Sequence, residues 1–99
     1  MVKYLKDEVF NDEIKKGLVL VDFYADWCGP CRMLAPVIEE VANELPNVKI
    51  IKINVDERED VARTYGVMSI PTVILFENGE IKKKQVGFMP KEVLMRWFN

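Results

Sequence analysis

Histidine is absent from all 99 residues. That removes the commonest general base, the commonest zinc ligand, the Ser-His-Asp and Cys-His nucleophile arrangements, and the usual pH-sensing side chain. Cysteine is scarce, with Cys28 and Cys31 the only two. Two cysteines do not make the dense disulfide framework of a small secreted domain, and they leave a zinc site within one chain two ligands short. No apolar run approaches the ~20 residues of a membrane span, and residues 1–8 lack the apolar core of a signal peptide. Charge of one sign is missing too. Fourteen Lys and Arg against 16 Asp and Glu give a net charge of −2, without the basic stripe that nucleic acid requires. Linkers, internal repeats and low-complexity stretches are absent as well. What remains is a globular composition, 49% hydrophobic and 30% charged. Residues 1–99 read as a single domain with one core, soluble in a reducing compartment, the cytoplasm.

Along the chain, helix and strand signals alternate. Residues 2–5 form a short strand, and 7–16 a helix with acids at its start, Lys15 and Lys16 at its end and Gly17 as the stop. Residues 18–25 are almost continuously apolar, as in a central parallel strand covered on both faces. From residue 29 to 45, Leu34, Val37, Ile38, Val41, Ala42 and Leu45 fall at helical spacing, with Pro36 predicted to kink this helix rather than end it. A strand at 49–55 precedes a short helix, for which Asp56 and Glu59 read as a capping box and Gly66 as the stop. Residues 72–76 and 81–86 pair across Asn78–Gly79, a type I′ turn signal. Lys82, Lys83 and Lys84 mark the second of these strands as a protected edge. Pro90 opens a last helix that buries Val93, Leu94, Trp97 and Phe98. The order β-α-β-α-β-α-β-β-α predicts an α/β fold: a central mixed sheet with helices on both faces and an antiparallel edge supplied by the last hairpin.

Chemistry concentrates in Trp27-Cys28-Gly29-Pro30-Cys31, where the buried strand ends and the long helix begins. The first N–H groups of a helix lack partners and its N-terminus is partially positive, so a sulfur there is stabilised as thiolate. Residues three apart on a helix have Cβ atoms roughly 5–6 Å apart, close enough for a disulfide after local adjustment. A bridge closing so short a loop restrains the unfolded chain little, so redox turnover suits the pair better than stapling. Asp22 is the other anomaly, an acid inside an apolar strand. Burial without a partner raises a carboxyl pKa and fits it to move protons near neutrality, whereas a salt bridge or water would leave it merely structural. Pro71 can start a strand without costing a ladder bond. Met33, Met68, Met89 and Met95 read as core or rim. No G-x-G-x-x-G fingerprint occurs, so a nucleotide reductant is handled elsewhere and the chain carries no cofactor or metal of its own.

Val21-Asp22-Phe23-Tyr24-Ala25-Asp26-Trp27-Cys28-Gly29-Pro30-Cys31 resembles the active-site strand and loop of the thioredoxin family. Ile70-Pro71-Thr72 resembles its cis-proline loop, and Asn78-Gly79-Glu80 and Val86-Gly87 fall where its last hairpin puts them. The resemblance implies the thioredoxin fold and reduction of protein disulfides by dithiol exchange. Cys28 is then the nucleophile and the more exposed sulfur, and Cys31 the resolving thiol. Asp22 assists deprotonation of Cys31, and Lys52 lies near that acid, although a solvated strand lysine is the equal alternative. The resemblance further implies a cis Ile70–Pro71 bond and an apolar docking surface of Trp27, Gly29, Pro30, Val55, Ile70, Pro71, Gly87 and Phe88. Implied partners are disulfide-containing proteins and a thioredoxin reductase, with the chain a monomer that binds neither nucleic acid nor membrane. Gly29–Pro30 points to the reducing branch, since oxidising members usually carry histidine in the dipeptide. Tyr24, where the family commonly has tryptophan, and Phe88, where many members have a smaller residue, depart from the pattern and bear on substrate preference. A binding module using the same groove without turnover is the competing class.

Overall fold

The structure, a computed structural model, describes residues 2–99. Strand β1 (Val2–Tyr4), helix α1 (Phe10–Ile14), β2 (Leu18–Tyr24), α2 (Gly29–Glu44), β3 (Lys49–Asn54), α3 (Glu59–Thr64), β4 (Thr72–Glu77), β5 (Glu80–Val86) and α4 (Lys91–Met95) follow the predicted order. The strands form one mixed sheet, β1-β3-β2-β4-β5. Strands β1, β3 and β2 are parallel, while β4 runs antiparallel to β2, and β5 antiparallel to β4. The central strand is thus parallel on one side only. Asn54 pairs with Tyr24 as β3 ends and Thr72 with Phe23 as β4 begins, so the connection through α3 passes over β2 and re-enters at the same end of the strands that it left. Strand β4 must then run back, and the antiparallel part is wider than the last hairpin alone.

Alternation along the strands makes two cores. Val21, Phe23, Ile51, Ile53, Ile74 and Phe76 pack with Phe10 and Ile14 of α1 and with Val61 and Ala62 of α3. On the other face, Leu20, Ile50, Val73 and Leu75 meet Leu34, Ile38 and Val41 of α2 and Leu94 of α4. Period two puts Asp22 on the α2 face, between Leu20 and Tyr24. Helix α2 runs unbroken through the exposed Pro36. Asn78 and Gly79 take positive φ, 51° and 87°, as the hairpin requires. Strand β5 is exposed along its length, with its three lysines on the sheet edge.

Several element boundaries differ from those expected from the sequence, among them the starts of three helices. Helix α1 begins at Phe10 rather than residue 7, because Arg58 donates to the carbonyls of Lys6 and Glu8 and Glu8 accepts the Lys6 N–H. Those bonds hold the segment outside the helix. Asp56 does not cap α3, whose N-cap is Arg58 without a side-chain hydrogen bond. Asn54 instead builds the turn, its Oδ1 accepting the Asp56 N–H and its carbonyl the N–H groups of Glu57 and Arg58. Pro90 is the N-cap of α4, and a 3₁₀ turn, Arg96–Phe98, follows that helix. Only Leu94 of its four apolar positions is fully buried; Val93, Trp97 and Phe98 pack half-buried against the α2-side core.

Candidate active site

Cys28 and Cys31 form a disulfide at the start of α2, their Cα atoms 5.3 Å apart. Cys28 is the N-cap, in extended conformation at φ −94° and ψ 112°. Its Sγ accepts the Cys31 N–H at 3.2 Å, so a sulfur does here what a serine or aspartate oxygen does at other helix starts. Pro30 sits within the first turn, where a missing N–H costs nothing. A Cβ built on Gly29 would meet no atom within 4 Å, so the space beside that residue is open. Cys28 Sγ lies 3.8 Å from the Ile70 carbonyl oxygen, a contact that becomes a hydrogen bond only when the sulfur carries a proton. The sequence reading makes Cys28 the more exposed sulfur. In the disulfide both residues are buried alike, 4% and 5% exposed. Ala25, with Tyr24, Val55 and Ile70, packs against the pair and covers both.

Around the pair, Trp27 is 69% exposed and Phe88 and Pro30 are exposed, while Gly29, Val55, Ile70 and Gly87 are half-buried. Pro71, by contrast, is buried, so it supports the surface rather than forming it. The Ile70–Pro71 bond is cis. The Pro71 carbonyl accepts the Gly87 N–H at 2.8 Å, and Gly87, at φ 97°, is in a conformation that favours glycine. One hydrogen bond therefore joins the loops before β4 and after β5. Of the methionines, Met89 is core, whereas Met33 is exposed and Met68 is 95% exposed.

On β2, two residues before Tyr24, Asp22 is 1% exposed and its Oδ1 has no hydrogen-bond partner. Lys52 is also buried, its Nζ 3.9 Å from Asp22 Oδ2. Burial raises the Asp22 carboxyl to about 6, outweighing the downward pull of Lys52. Lys52 is thus the paired lysine, not the solvated one. A cleft of about 180 Å³, lined by Tyr24, Ala25, Asp26, Cys31, Arg32, Ala35 and Lys52, brings the lysine and Cys31 onto one surface. Burial also raises the Tyr24 phenol, with the nearby acids adding to it.

Two residues escaped the sequence reading. Asp56 Oδ2 accepts the Trp27 indole N–H at 2.9 Å, anchoring the exposed ring beside Cys28. Arg32 donates to the Asp26 carbonyl at 2.7 Å and ties the loop before the dithiol to α2. Only the Asp at position 56, read there as a cap, gave a signal. Among the described residues no three His, Cys, Asp or Glu side chains are arranged to hold a metal ion.

Known proteins resemble the whole of this arrangement. The thioredoxin family model matches residues 1–99. A thioredoxin of Chlamydia pneumoniae is 54% identical over 99 residues, covering 100% of this chain and 97% of that one. A thioredoxin of Bacillus subtilis is 50% identical over 94 residues, covering 94% and 90%. Among solved structures, a mutant thioredoxin from Halobacterium salinarum superposes with a TM-score of 0.87 at 39% identity, covering 96% of this chain and 85% of the other.

Proposed function

The chain belongs to the thioredoxin family and is a thiol-disulfide oxidoreductase that reduces protein disulfides, and we propose that Cys28 is its nucleophile and Cys31 its resolving thiol. The observation that carries this assignment is the cap geometry: Cys28 Sγ already takes a helix N–H, the interaction that stabilises a thiolate. In the reduced protein the Cys28 thiolate attacks one sulfur of a substrate disulfide. A Cys28–substrate disulfide forms and the other substrate sulfur leaves as thiolate. Cys31 then gives up its proton and attacks Cys28 Sγ. The Cys28–Cys31 bond closes, the substrate departs as a dithiol after taking up two protons, and two electrons have passed to it.

Asp22 is the acceptor of the Cys31 proton in this scheme, with its neighbour Lys52 lining the same cleft as Cys31. A carboxyl near 6 is matched to such a transfer at neutral pH. Substrates dock on Trp27, Gly29, Pro30, Val55, Ile70, Gly87 and Phe88, with Pro71 beneath. Among the described residues Ile70 makes no backbone–backbone hydrogen bond, which leaves its N–H for an extended substrate segment, while its carbonyl faces Cys28 Sγ at 3.8 Å. Lys52 holds Asp22 partly ionised. The 99 residues work as one domain and as a monomer in the cytoplasm, recycled by a thioredoxin reductase. No helix among the described residues is long and apolar enough to cross a membrane. Coupled to a thioredoxin reductase and NADPH, with a disulfide protein as acceptor, the wild type is expected to sustain NADPH oxidation and Cys28→Ser to stop it. Retained turnover in Cys28→Ser refutes the assignment of the nucleophile, and binding of the acceptor without turnover by the wild type favours a module that merely docks.

A further inference from the structure

On the α2 face of the sheet, Tyr4 of β1 pairs in register with Lys52 of β3, and Lys52 with Asp22 of β2. Tyr24 lies two residues beyond Asp22 on the same face. The Lys52 ammonium stands 4.9 Å from the centre of the Tyr24 ring and 5.5 Å from that of Tyr4. The rings themselves meet edge to face, 6.2 Å apart at 84°. Both cation distances fall within the ~6 Å over which an aromatic face attracts a cation. Little else holds this ammonium. Its one carboxylate neighbour is 3.9 Å away, beyond hydrogen-bond length. A lysine stem is flexible and its head strongly hydrated, and this one lines a cleft with Asp26 and Arg32.

We propose that Tyr4 and Tyr24 are positioning residues, a two-ring cradle that holds the Lys52 ammonium against Asp22 and thereby adjusts how readily Asp22 accepts a proton. This deepens, and rests on, the reading of Asp22 as the acceptor for Cys31. The cradle works against competitors. Asp26 at the end of β2 and Glu57 after β3 are carboxylates near enough to act on the Tyr24 phenol, as do Tyr4 and Asp22. Either acid can draw the ammonium away from Asp22, although Glu57 is already paired with Lys6 at 3.2 Å. From α2 the cleft receives Arg32 and Cys31. From β4, Asp22 faces only the apolar Val73. Lys52 is therefore the cation that matters to Asp22, and the rings decide where it rests.

The test is the Asp22 titration midpoint, followed by carboxyl carbon NMR in the reduced full-length protein. Tyr4→Leu and Tyr24→Leu are expected to raise the proton affinity of Asp22 by roughly two- to five-fold, the scale of one exposed cation–π contact. Tyr4→Phe and Tyr24→Phe, which keep the ring, are expected to titrate like the wild type and show that the fold is intact. In a Lys52→Met background the leucine substitutions are expected to move nothing. A midpoint unmoved by both leucine variants overturns the cradle. So does an equal shift in the Lys52→Met background, since that is water entering the site and not positioning. The pH profile of the Cys31 resolving step separates the two readings. If the midpoint moves and the profile does not follow, the cradle stands and Asp22 is not the acceptor.

Discussion

Asp22 shows at the scale of one residue what the site costs the fold. In the folded protein it keeps its proton up to about pH 6, whereas an unperturbed carboxyl releases it near 3.8. Between those values the folded state binds more protons than the unfolded chain, so stability falls as pH rises, and the loss is complete above about 6. With this burial the cost is on the order of 2–3 kcal/mol. Asp22→Asn is therefore expected to raise unfolding stability in urea at pH 8 by that amount, with the gain disappearing toward pH 3. An equal gain at both pH values contradicts the assignment. The same substitution should slow the resolving step, the exchange of activity for stability that a strained site predicts. This acid was legible because it interrupts an apolar run. Its Lys52 partner was legible only through the family resemblance, since a lysine in a strand reads equally well as solvated until the neighbouring strand is known.

Elements were legible where their signal is local. The period of α2, the Asn78–Gly79 turn and the placement of two sulfurs at a helix start are all written within a few residues. The starts of α1 and α3 were not. The first is decided by a side chain from far along the chain, Arg58, which takes the carbonyls of Lys6 and Glu8, and the second by Asn54, whose side chain and carbonyl build the turn that delays α3 to Glu59. Gly87 belongs to this scale. It takes φ 97° and donates a hydrogen bond to the Pro71 carbonyl, joining the two loops of the proposed docking surface. Gly87→Ala meets no atom within 4 Å, so crowding is not the obstacle. The backbone conformation alone is expected to cost about 1–2 kcal/mol. Denaturant unfolding should register that loss together with a raised KM for protein disulfides. Unchanged stability would show that the loop does not need glycine's freedom.

At the scale of the molecule, the exposed surface is 5677 Å², close to the roughly 5,800 Å² expected for a folded chain of this mass. The dithiol sits where β2 ends and α2 begins. Two cores clamp that junction from opposite faces of the sheet. The direction of β4 escaped the sequence reading, because nothing in residues 55–71 announces whether the chain runs back along the strands or re-enters at the end it left. The reaction scheme does not depend on it. It depends on which sulfur meets the substrate first. The direct measurement is to incubate reduced Cys31→Ser with a disulfide protein and locate the mixed disulfide by mass spectrometry. A stable adduct on Cys28, and no comparable adduct on Cys31 in Cys28→Ser, is the predicted result; an adduct that forms as readily on Cys31 contradicts it.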